Sequence, residues 1–192
     1  MPHPARVLER ADVRRLLDAV RQHRNALRDR ALVLLSFKAG LRACEMSGLD
    51  WSMVLTPKGG IADQLYIAAS IAKNAAARRV PVHPDLAYAL LALHRSHDRP
   101  RAGPVIRSER GCHMTPRSIV NWYARLYDRV GLDGCSSHSG RRTFITRSAR
   151  LLARTGGSLR DVQELAGHRR LTTTERYIEG DRAAQHRLIR LV

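Results

Sequence analysis

The run Ala31-Leu32-Val33-Leu34-Leu35-Ser36-Phe37 constrains this chain more than any other stretch. A surface helix sets an apolar stripe against a polar face. This run is apolar on all sides, so it reads as a helix buried at the centre of the fold. Gly40 is a natural stop for it, and Arg42 to Leu49 begins another short helix. Upstream, residues 8–22 place Leu8, Val13, Leu16, Leu17 and Val20 at helical spacing, with Asp12 in the first turn. The period then changes, and strands are expected at 51–55, 64–71 and 79–82, with Pro57, Gly59 and Gly60 supplying a turn. From Pro84 the pattern is helical again, and a Pro/Gly/Arg-rich loop follows at 99–111. Further helices are expected at 116–130, 139–154, 159–166 and 173–179. The last two are introduced by the capping-box spacings Ser158…Asp161 and Thr172…Glu175. The expected fold is mainly α with a small three-stranded antiparallel β-sheet, one domain over residues 1–192.

Charge narrows the class of partner. The chain has 192 residues and a formal net charge of +17, with 31 Arg but only three Lys (Lys38, Lys58 and Lys73). Residues 1–64 carry +4, residues 65–128 carry +6 and residues 129–192 carry +7, so the excess lies in folded-looking sequence and not in a basic tail. Such a surface suits a polyanion, nucleic acid before anionic membrane. The N-terminus has no apolar signal core, and the run Leu86 to Leu93 is too short to span a bilayer. Three cysteines at irregular spacing (Cys44, Cys112, Cys135) form no disulfide framework, which points to a reducing, cytoplasmic compartment.

Five motifs follow one another in a distinctive order. Gly40-Leu41-Arg42-Ala43-Cys44-Glu45 comes first, and Lys73 lies in a presumed strand turn eight residues before Pro81. His138-Ser139-Gly140-Arg141 is next, then Leu165-Ala166-Gly167-His168, with Tyr177 nine residues after that histidine. From about residue 8 to 180 the chain resembles the catalytic domain of the tyrosine recombinases, the phage-integrase family. The resemblance implies the DNA breaking–rejoining fold and a site made of Arg42, Lys73, His138, Arg141, His168 and the nucleophile Tyr177, with Glu45 in support. It implies double-stranded DNA as partner and self-association into a tetramer on DNA by a protein that is monomeric when free. Neither metal, ATP, other cofactor nor small-molecule substrate is expected.

These residue types suit phosphodiester cleavage. Two guanidinium groups, Arg42 and Arg141, can clamp non-bridging oxygens on which charge accumulates in the transition state. Glu45, three residues after Arg42 on the same helical face, would orient it. The Tyr177 phenol needs a proton acceptor, for which His138 is suited, while His168 would donate a hydrogen bond to a phosphate oxygen. Lys73 can protonate a leaving 5′-oxygen where Arg cannot.

Some features depart from the family pattern. Ser139-Gly140 stands where Asp-Leu is usual, and Arg142 replaces a frequent His; Gly140 is expected to loosen the start of its helix. By this resemblance the catalytic region is expected to begin almost at Met1, where most members carry an N-terminal core-binding domain ahead of it. In this the chain resembles an excised catalytic domain or the short recombinases that invert promoter segments in fimbrial switches. Residues 181–192 are expected to form a basic tail helix that packs on its own domain or docks on a neighbouring subunit. Cys112, His113, Cys135 and His138 offer a competing zinc-ligand set, disfavoured because Cys112 and His113 are adjacent. A type IB-like topoisomerase and a non-cleaving DNA-binding accessory factor are the functional alternatives.

Overall fold

The computed structural model describes residues 5–73, 75–177 and 189–190. The expected tail helix at 181–192 falls almost wholly outside them. Helix α1 (Arg10–Val20) is followed by α2 (Ala26–Ala39) and the short α3 (Ala43–Gly48). A hairpin of β1 (Gln64–Ile67) and β2 (Arg78–Pro81) leads into α4 (Pro84–Ser96), α5 (Pro116–Val130) and α6 (Ser139–Thr155). Two shorter helices, α7 (Leu159–Ala166) and α8 (Leu171–Glu175), complete the described order.

Helix α2 is central, as its composition requires. Residues 31–35 are fully buried, and α2 packs against α1, α4 and α6. Burying each Leu or Val there contributes roughly 1.5–3 kcal/mol, so this one helix anchors the core. It ends at Gly40, in the left-handed region at φ 64°. Its C-terminal end therefore meets the start of α3 at one place, and the α6 helix crosses beside it.

The sheet differs from expectation. It has two strands among the described residues, not three, paired antiparallel with Leu65 opposite Val80 and Tyr66 opposite Arg79. The segment expected as a first strand begins as a 3₁₀ turn, Trp51–Met53, and Leu55 keeps only an isolated bridge to Ile61. The reason is Asp50. Its carboxylate accepts from Ser52 N and Ser52 Oγ at 2.9 and 2.7 Å and from Gly103 N at 2.7 Å, which curls the backbone before a ladder can form.

The α7 capping box forms as expected between Ser158 and Asp161. Helix α8 instead starts one residue before Thr172, with Arg170 at its N-cap. None of the described helices is long and apolar enough to cross a membrane.

Candidate active site

The site begins where α2 stops. Arg42 is the N-cap of α3, and Glu45, one turn in, folds back on it: Glu45 Oε2 accepts from Arg42 N at 2.9 Å and Oε1 from Arg42 Nη1 at 3.1 Å. Glu45 is fully buried and has a second partner. Arg78, at the start of β2, donates from Nη1 to Oε1 at 2.8 Å and from Nη2 to Oε2 at 2.9 Å. Burial alone would raise the Glu45 pKa, but the Arg78 hydrogen bonds and charge, with those of Arg42, outweigh it and hold the carboxyl below its usual range.

Arg141 lies in the first turn of α6 and is 2% exposed. Its Nη1 donates to Gly40 O at 2.6 Å, and its Nη2 donates to Ala166 O and to His168 Nε2, the latter at 3.0 Å. Burial, then the charge of Arg42, brings its pKa down to about 10, so it stays cationic at neutral pH. Because a guanidinium only donates, His168 Nε2 must accept. Nδ1 therefore carries the imidazole proton, which it donates to Thr174 Oγ1 at 2.9 Å. Burial and the charges of Arg141, Arg42 and Arg78 push the His168 pKa down to about 4, which keeps the ring neutral. Gln163 clamps the same turn by donating from Nε2 to His168 O at 2.9 Å.

His138, Arg141 and Tyr177 line one cleft of about 450 Å³, together with Ser136, Thr173 and Arg176. His138 caps α6 and opens toward solvent. Desolvation, then the charges of Arg141, Arg42 and Lys73, lowers its pKa, leaving a neutral imidazole able to take a proton. The Tyr177 ring stacks on His168, with centroids 5.4 Å apart at 23°. Thr146 Oγ1 donates to Tyr177 O at 3.0 Å and so pins that residue's backbone to α6. Lys73 is exposed on the β1–β2 loop, yet near enough for its charge to act on His138.

All seven residues singled out in the sequence thus converge on this region: Arg42, Glu45, Arg141 and His168 in a buried network, His138 and Tyr177 on the cleft, and Lys73 within electrostatic reach of His138. One expectation about them changes: both ring nitrogens of His168 are engaged within the protein, so it does not present a free donor here. Gly140 also reads differently. It lies in the first turn of α6, where a Cβ would stand 2.1 Å from Ser36 Oγ, so glycine is what lets α6 approach α2 closely.

Arg78 and Thr174 are the important residues that sequence reasoning passed over. Alternation in β2 puts Arg78 on the same face as the buried Val80, which in retrospect signals a buried partner. Arg79 points the other way, its guanidinium 5.5 Å from the Tyr66 ring. Among the described residues no group of three or more His, Cys, Asp or Glu is placed to hold a metal ion. His113 instead turns Nδ1 to Ser47 O at 2.7 Å, and Cys112 is exposed.

Comparison with known proteins places this geometry in a lineage. The model of the phage integrase family matches residues 6–183. The tyrosine recombinase XerC of Bradyrhizobium diazoefficiens is 37% identical over 154 residues, covering 78% of this chain and 45% of that protein. That of Myxococcus xanthus is 31% identical over 184 residues, covering 90% of this chain and 54% of the relative. The chain thus spans about half the length of the curated relatives it matches. Among solved structures, XerA recombinase superposes with a TM-score of 0.75 at 23% identity, over 96% of this chain and 64% of that one. That likeness shows the fold. By its sequence and its matched span, the chain belongs to the phage integrase family.

Proposed function

We propose that the chain is the catalytic part of a site-specific DNA recombinase of the tyrosine class. Tyr177 attacks the scissile phosphate, its phenolic proton passing to His138, while the 5′-oxygen leaves with a proton from Lys73. The products are a 3′-phosphotyrosyl link and a free 5′-hydroxyl. A 5′-hydroxyl from a partner duplex reverses the step and joins new strands. The phosphotyrosyl bond conserves the energy, so the reaction calls for neither ATP nor metal. Arg42 and Arg141 hold the non-bridging oxygens, and removing a comparable preorganised donor costs about 10²–10³ in rate. Exchange between two duplexes needs four protomers, two per site.

The observation that carries this reading is the shared cleft. His138 and Arg141, together at the start of α6, and Tyr177, just after α8, line the same 450 Å³ space, backed by the other guanidinium, Arg42. The matched relatives are tyrosine recombinases by name. Similar folds include an integrase of transposon Tn1549 in complex with circular intermediate DNA (17% identity, TM-score 0.74, 99% of this chain and 68% of that one).

The test is a pool of nicked duplexes randomised across the break, in which a short 5′-hydroxyl fragment diffuses away after cleavage. The wild-type chain should form SDS-resistant protein–DNA adducts in the presence of chelator, and Tyr177→Phe should form none while still binding DNA. Binding without any wild-type adduct would instead support a non-cleaving accessory factor. Plasmid relaxation without strand exchange would favour a topoisomerase.

A further inference from the structure

We propose that Arg78 is a positioning residue whose two-pronged grip on Glu45 keeps Arg42 free to hold the phosphate. This rests on the catalytic reading above and extends it to a residue outside the motif set. The carboxylate of Glu45 is the only anion among the guanidiniums of Arg42, Arg78 and Arg141 described in this network, and it is fully buried. Left with one arginine, such a carboxylate takes a paired, fork-on-fork contact, because two parallel N–H donors match its two oxygens. Arg78 already occupies that arrangement at 2.8 and 2.9 Å. Arg42 is left to reach Glu45 through Nη1 alone, at 3.1 Å, and its other four N–H groups are not held by this carboxylate. Without Arg78, Glu45 would draw the Arg42 guanidinium fully onto itself and away from the cleft.

The grip on Glu45 is one of several anchors. Arg78 Nε donates to Leu165 O at 3.1 Å, in the last turn of α7. A Cβ on Gly167 would lie 3.0 Å from Arg78 Cδ, so the glycine before His168 also makes room for this side chain. One residue thereby joins the hairpin that bears Lys73, the helix that bears Arg42 and the turn that bears His168. Lysine could supply the charge but not the paired contact together with the Leu165 bond.

The experiment compares wild type, Arg78→Ala and Arg78→Lys in single-turnover adduct formation on a nicked duplex recovered from the pool, alongside DNA affinity and thermal unfolding. Arg78→Ala should lower the cleavage rate constant about 100-fold, as loss of a transition-state donor does, and change the Kd for DNA by less than about threefold. Guanidinium chloride at tens of millimolar should recover at least about tenfold of that loss, and sodium chloride at the same strength should not; a purely structural defect would show no such difference. Should the alanine variant not fold, Arg78→Lys should still cleave about tenfold or more slowly, and a wild-type rate would overturn the proposal. A crystal structure of either variant should show Arg42 turned two-pronged onto Glu45. An unmoved Arg42 would sink the idea whatever the kinetics. Absence of any wild-type adduct would refute the catalytic reading instead, and the Arg42 geometry would then decide the present one alone.

Discussion

Gly140→Ala tests how tightly the site depends on the crossing of α2 and α6. The added Cβ would stand 2.1 Å from Ser36 Oγ and 2.8 Å from Ser36 Cβ, where contacts under 3.0 Å essentially never occur. Rotating the hydroxyl relieves only the first of these. With the hydroxyl rotated the helices must still part by about 0.2 Å, and with it held in place by about 0.9 Å; the next residue along α6 is Arg141. Its Nη1–Gly40 O bond of 2.6 Å would stretch to about 2.8 Å in the first case and to about 3.5 Å, the limit at which a hydrogen bond survives, in the second. Overpacking of this kind costs about 1–3 kcal/mol, and alanine's better helix propensity offsets up to about 1 kcal/mol of it, leaving a net loss of about 2 kcal/mol at most. For a chain of this size that lowers Tm by about 8 °C at most. Urea titration of wild type, Gly140→Ala, Ser36→Gly and the double variant should show the two losses cancelling in part, with a coupling of about 1 kcal/mol or more. Strictly additive losses, with no coupling between positions 36 and 140, would refute the steric account.

Three further outcomes are expected. Lys73→Ala should slow cleavage of an ordinary substrate, yet regain most of its rate on one whose 5′-bridging oxygen is sulfur, a leaving group that needs no proton; failure of that recovery would move the general acid elsewhere. His168 is neutral in the fold with a pKa near 4, against 6.5 for the free ring, so the unfolded chain binds the extra proton between those values. Stability should therefore fall as pH drops from about 6.5 to about 4, by roughly 3 kcal/mol at most from this group, and His168→Gln should flatten that part of the urea-measured profile. Glu45→Gln should destabilise the fold by about 3 kcal/mol or more, because it strands the guanidiniums of Arg42 and Arg78 without their buried counter-charge; a shift under 1 kcal/mol in the same titration would contradict that assignment.

The helices were legible because each carries its own instructions. Residues 31–37 are too apolar to lie anywhere but the centre, and Gly40, Gly167 and the Ser158…Asp161 box mark ends and beginnings through local chemistry. The segment at 51–55 misled because its apolar alternation is genuine, while Asp50's bond to Gly103, a residue far along the chain, curls it into a turn. Thr172 misled in a similar way: its spacing to Glu175 matches a cap, but the chain enters α8 at Leu171, with Arg170 at the N-cap. Among the site residues, those with a motif were found. Arg78 had none, and among 31 arginines only its place on the inward face of a short strand set it apart.

Sequence by itself determined the helical centre, the basic character and the order of groups suited to attack on a phosphodiester, since these follow from residue type and local spacing. Tertiary structure alone decided how the groups are wired: that Glu45 is shared between two arginines, that the His168 proton sits on Nδ1, and that Gly140 is a point of close approach. The physical reason is range. Periodicity and capping act over a few residues, whereas Arg78 meets Glu45 across 33 positions and Arg141 meets Gly40 across 101. Such pairings exist only once the core around α2 has brought those segments together.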